Sequence, residues 1–333
     1  MEIQNYQSLD QKESFFDSKI IDNKLELDQF LEEWSKKDDS KKIMFRGMNE
    51  AKFKLYNSAQ RVWIGNELKY LGKTYFNFIQ SQILYLEKYQ NGLFQKFYNS
   101  FGSKTNDLSL LSFLQHYGAP TPLLDFTFNL KCALYFATYD CKYIASENID
   151  NYFSIYAIEY ENPESEFQSI IDILNDTLKV VEKEIKENPK KKIQESGVLN
   201  PIEKLSYKTL QELKTFYIPE YKKGGYEFTS KYFPKFKLIF NQQNLNVINQ
   251  EGLFIYMYDE NHPLEEYFTG DGSSFQETYY LPKIKCWNIH KSFKDYILKS
   301  LKNSKPYPVD KDYIFPQEEN IAMQAYKSFK TNL

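Results

Sequence analysis

Three separated groups of residues carry the chemistry open to this chain. Arg46 ends the apolar run Ile43-Met44-Phe45. A guanidinium there is costly to bury unless it pairs with an acid or faces a cleft where it holds an anion. Gln115, His116, Asp125 and Thr127 form a second group, within a short stretch that joins two apolar ones. Gln250 and Glu251 form the third, just ahead of Leu253-Phe254-Ile255-Tyr256-Met257. An arginine, an imidazole, a hydroxyl and carboxylates brought together would suit a phosphate-bearing or carboxylate-bearing ligand. Each also has a plainer reading. Arg46 could be half of a core salt bridge, and Asp125 could be a helix cap contributing about 1 kcal/mol.

Other chemistries find little support. His116, His262 and His290 are far apart and none begins a ligand-spaced pair, so no metal is expected. There is no Gly-x-Ser-x-Gly elbow, no Walker A loop and no Gly-x-Gly-x-x-Gly turn.

The second group sits where two elements meet. Leu108, Leu111 and Leu114 recur at helical spacing, and Asn106 or Asp107 can cap the start. Gly118 should end that helix, since glycine accepts the left-handed conformation at a helix C-terminus, and Pro120 cannot continue it. Asp125 and Thr127 are good N-cap residues for a second helix over about 128–139. The spacing therefore predicts a helix-turn-helix joint whose fresh N-terminus offers unpaired N–H groups to an anion.

Gln115-His116-Tyr117-Gly118, Pro120-Thr121 and Leu123-Leu124-Asp125-Phe126-Thr127, followed by Ala133-Leu134-Tyr135-Phe136-Ala137, resemble the signature of the FRG-domain family. That family is named for a Phe-Arg-Gly tripeptide, present here as Phe45-Arg46-Gly47. Leu55, Ser58, Arg61, Gln250-Glu251-Gly252-Leu253-Phe254 and Ile314-Phe315-Pro316 match in order, so the resemblance spans about 43–319. Pro122 and Asn246 stand where the family usually has arginine. Glu251 stands where it commonly has glutamine.

The order of Arg, then hydroxyl, then Gln or Glu beside a strand is in turn similar to the arginine-type ADP-ribosyltransferases. That likeness implies NAD as substrate and no metal. It implies that Arg46 holds the phosphate with Gln115, His116, Asp125 and Thr127 around it, and that aromatic residues stack the nicotinamide. Glu251, with Gln250 and Arg46, would then act on the oxocarbenium-like transition state. The acceptor, protein or nucleic acid, is left open, and the setting would be prokaryotic defence or a mobile element. The other reading is a module that binds a nucleotide or a nucleic-acid end without turnover.

Composition bounds the rest. The 333 residues include 28 Tyr and 27 Phe against 12 Gly, which argues for a packed globular chain. A net charge of -3 gives no general drive toward nucleic acid or an anionic membrane. The three cysteines, Cys132, Cys141 and Cys286, are an odd number without metal-type spacing. No stretch has the apolar length of a membrane span and Met1-Glu2-Ile3-Gln4 is no signal start, so a cytoplasmic protein is expected.

In chain order, strands are expected at 19–21, 43–47, 153–160, 237–240, 253–257 and 284–287. Helices are expected around Leu27 to Trp34, through the aromatic-rich 66–100, at 291–302 and at 321–329. The fold class is α+β, a small twisted, mainly antiparallel sheet surrounded by many helices. The domain reading is an N-terminal strand-helix extension (1–40), the FRG domain (41–290) with a helical insertion at about 163–205, and a helical tail (291–333).

Overall fold

The structure is a computed structural model. It describes residues 3–38, 43–100, 107–143, 148–159, 236–239, 245–257, 259–268, 284–317, 321 and 323. The predicted insertion at 163–205 and most of the predicted final helix lie outside the described residues.

The fold is α+β. Among the described residues seven strands form one sheet: β1 (Phe16–Ile21), β2 (Ile43–Met48), β3 (Leu123–Thr127), β4 (Tyr152–Glu159), β5 (Phe236–Ile239), β6 (Gly252–Met257) and β7 (Ile284–His290). Their order is β1-β7-β4-β2-β3-β6-β5. Among these seven strands β1 and β7 run parallel and the other neighbouring pairs are antiparallel. The N-terminal strand is thus an edge of the same sheet.

The sheet is two well-paired halves with a weak seam. β2 pairs with β4 along its whole length, and β3 with β6 likewise. Between β2 and β3 the register holds at one pair, Phe45 with Thr127. Beyond it the strands separate.

Side-chain alternation sorts the core onto two faces. On one face, Met44, Leu124, Phe126, Tyr156, Leu253, Ile255 and Cys286 form a single cluster that crosses the seam. On the other face there are two clusters. Phe45, Phe153, Ile155 and Ile289 pack under the helices Lys24–Asp38, Leu130–Thr138 and Lys294–Lys302. Leu123 and Phe254 pack under Ser58–Gly65, Tyr75–Lys88 and Asp107–His116. The gap between these two clusters lies over the seam.

One expectation is corrected here. Residues 123–127 are not the entrance of a helix but the strand β3, and the helix that follows is capped by Asn129, whose side-chain oxygen accepts the N–H groups of Lys131 and Cys132. Asp125 and Thr127 cap nothing. Leu124 and Phe126 face one cluster and Leu123 another, while Asp125 is exposed. Gly118 does end the preceding helix, at φ 76°, with Ala119 N–H returning to Leu114 O at 2.9 Å. No helix among the described residues is long and apolar enough to cross a membrane, and no three metal-ligating residues cluster there.

Candidate functional site

A cleft of about 450 Å³ opens at the seam. β2 contributes Phe45 to Met48 and β3 contributes Asp125 to Thr127; Gln115 and His116 come from one helix end, Asn246 from the short helix Leu245–Asn249 and Gln250 from the turn between it and β6. Tyr135, Phe136, Tyr139 and Phe315 add an aromatic wall. Six of the seven residues singled out in the sequence therefore line one cavity: Arg46, Gln115, His116, Asp125, Thr127 and Gln250.

Gly47 shapes it. A Cβ on Gly47 would lie 1.9 Å from the carbonyl oxygen of Ala133 and 2.9 Å from the nitrogen of Ala137. Only glycine lets the helix Leu130–Thr138 approach β2 this closely, and that helix carries Tyr135 and Phe136.

Arg46 comes to the point where β2 and β3 part. Its Nη1 donates to the Asp125 carbonyl at 2.6 Å and lies 3.8 Å from Asp125 Oδ2. Its Nε is buried without a hydrogen-bond partner in the protein. The side chain is 15% exposed, and burial lowers its pKa against the opposing pull of Asp125. It is the sole Lys or Arg among the described lining residues, which also hold Asp125 and Asp140.

Asp125 is 56% exposed by side chain, yet burial is the main influence on it and raises its pKa; Arg46, the Gln115 hydrogen bond and His116 act in the opposite sense. The two facts agree because the solvent it meets is that of a concave cleft rather than open surface. Gln115 Nε2 donates to Asp125 Oδ2 at 2.7 Å. Burial also lowers the pKa of His116, opposed by Asp125, which favours the neutral imidazole. Asn246 Nδ2 lies 3.3 Å from both of its ring nitrogens.

Thr127 and Gln250 are structural in their contacts. The Thr127 hydroxyl accepts the Asn129 N–H at 2.9 Å and donates to the Gln250 carbonyl, joining β3 to the turn before β6. Gln250 Nε2 donates to the Ile314 carbonyl at 2.8 Å, and Asn249 Nδ2 to the Tyr313 carbonyl at 3.1 Å. These two bonds hold the tail so that Phe315 reaches the cleft, edge-on to Phe136 at 6.1 Å.

Glu251 is the exception. It is exposed, takes a left-handed backbone (φ 47°), accepts from Asn129 Nδ2 at 3.3 Å, and is not among the lining residues. Sequence reasoning in turn missed Tyr139, Asp140 and Asn49 as lining residues. Their only signal is proximity to matched motifs.

Comparison with known proteins gives one family. Residues 41–143 match the FRG domain, a span that holds β2, β3, Gly47 and both sides of the seam. No curated protein and no solved structure matches the chain. The tripeptide Phe45-Arg46-Gly47 and the stretch from Gln115 to Thr127 both lie inside that span, so this part of the chain carries an FRG domain.

Proposed function

We propose that the seam cleft binds NAD or a closely related nucleotide, with Arg46 meeting its phosphate. The observation that carries this reading is Arg46 itself. It is a largely buried guanidinium at a sheet opening, with an unsatisfied Nε and its nearest carboxylate 3.8 Å away. A phosphate in the cleft would give this guanidinium an anionic partner closer than Asp125 Oδ2. One cation with two carboxylates in the lining suits a ligand that carries a positive ring as well as a diphosphate, and the aromatic wall suits a planar ring. The chemistry we assign to such a ligand is glycosidic cleavage in the manner of an ADP-ribosyltransferase, with Asp125 as the carboxylate inside the cleft.

Thermal unfolding tests the binding. A ligand that binds only the folded state at about 100-fold over its Kd adds roughly 2.7 kcal/mol, about 4 °C for a chain of this size. NAD and ADP-ribose should each raise the Tm of wild type and fail to raise that of Arg46→Ala or Arg46→Lys. Equal shifts in all three proteins would make Arg46 purely structural.

The second reading is nucleotide sensing without turnover. The placement of Glu251 outside the lining favours it, and wild-type protein that binds NAD but releases no nicotinamide would establish it over transfer.

A further inference from the structure

The orientation of the Gln115 amide is readable from its two partners. Thr121 is fully buried in the turn before β3. Its hydroxyl accepts the Leu123 N–H at 3.3 Å and donates its one proton to Gln115 Oε1. Nε2 of Gln115 is therefore the atom that faces Asp125, donating to Oδ2 at 2.7 Å. Turned the other way, the amide would set oxygen against carboxylate oxygen, an arrangement that holds only once Asp125 carries a proton. The Thr121 backbone is fixed independently. Its N–H donates to Ser58 Oγ at 2.9 Å and its carbonyl accepts the Ala59 N–H at 3.0 Å.

We propose that Thr121 is a positioning residue for the cleft: acting through Gln115, it favours the ionised form of Asp125. The groups that face Asp125 are Arg46 from β2 and Gln115 and His116 from the helix Asp107–His116. Arg46 attracts the carboxylate whatever its rotamer. The effect of Gln115 changes sign with the direction of its amide, and Thr121 favours the observed direction, because the flipped amide would leave its buried hydroxyl proton without the Oε1 acceptor. The consequence for ligands rests on the reading of the cleft as a nucleotide site. A phosphate on Arg46 would sit beside an ionised Asp125, so its binding would take up a proton.

The test needs no ligand. The side-chain carboxyl of Asp125, identified by its loss in Asp125→Asn, is titrated by carbon-detected NMR in the full chain. Thr121→Val should move the midpoint to higher pH, and Thr121→Ser should restore the wild-type value. Gln115→Met should move it the same way and make Thr121→Val silent when the two are combined. A Thr121→Val midpoint equal to that of wild type would overturn the proposal. Should Thr121→Val fail to fold for want of the Leu123 acceptor, Gln115→Met decides, and an unmoved midpoint there overturns it equally. Failure of NAD to bind would remove the proposed function and leave this result standing; an unmoved midpoint would do the reverse.

Discussion

The guanidinium of Arg46 donates to the backbone carbonyl of Asp125 at 2.6 Å, just past the single pair, Phe45 with Thr127, that joins the two halves of the sheet. A side chain here takes the place of a ladder hydrogen bond. Arg46 therefore has a structural share beside any role toward a ligand. Arg46→Met, which keeps the stem and loses the charge, should cost about 1.5–3 kcal/mol, the range for a charge-assisted bond. Urea unfolding measures it, and a midpoint within error of wild type would mean that the seam holds without the arginine.

Gly47 should be the least replaceable glycine among the described residues. Its missing Cβ is where the Ala133 carbonyl sits, so Gly47→Ala must push the helix Leu130–Thr138 away from β2. Overpacking against backbone costs about 1–3 kcal/mol or more. Gly65→Ala is the matched control, because a Cβ there has nothing within 4 Å. A Gly47→Ala variant as stable as Gly65→Ala would contradict the close approach.

The elements that position the site were largely legible in the sequence, because β2 and β6 are apolar runs and the helix before Gly118 has clear periodicity and a stop signal. β3 was not. It is only five residues long, too short for its alternation to stand out, and Asp125 and Thr127 look like caps to any local reading. The tripeptide and the long motif pointed to one cavity through resemblance, while the reason for its glycine is visible only from the helix packed against it. Lys12 carried no signal at all. Its Nζ is fully buried among the Ala51 carbonyl, Ser154 Oγ, Tyr156 Oη and Asn288 Oδ1 at 2.8–3.0 Å, partners as far as 276 residues away in sequence.

Glu265 should leave a mark on stability against pH. It is fully buried, accepts from Tyr6 Oη at 2.6 Å and from Leu55 N–H at 3.1 Å, and burial raises its pKa from the ordinary 4.5 to about 6 in spite of those bonds. A carboxyl whose folded pKa lies above its unfolded one contributes stability below pH 4.5 that is lost as pH rises through 6. At about 1.36 kcal/mol per unit the loss is on the order of 2 kcal/mol. The difference in unfolding free energy between wild type and Glu265→Gln should therefore change across pH 4.5 to 6 and be flat above it. Taking the difference cancels other carboxyls, such as Asp259, whose pKa is lowered. A difference independent of pH would show that Glu265 titrates normally.

The carboxylate that matters for a bound nucleotide should be Asp125 and not Glu251. A group that stabilises developing positive charge must face the bound ligand, and removing one such group commonly costs about a hundredfold or more in rate. Glu251 meets Asn129 on an exposed turn, outside the cleft lining, while Asp125 stands in the cleft beside Arg46. Glu251→Gln should therefore leave the NAD-induced rise in Tm and any nicotinamide release unchanged. Asp125→Asn should abolish release and, by removing a negative charge next to the phosphate, tighten the binding of ADP-ribose. Glu251→Gly adds a check on the backbone: the left-handed conformation is strained for glutamate and free for glycine, so this variant should be as stable as wild type or more so. Nicotinamide release that collapses in Glu251→Gln and survives in Asp125→Asn would return the catalytic role to the turn before β6 and require that turn to move over the cleft when NAD binds.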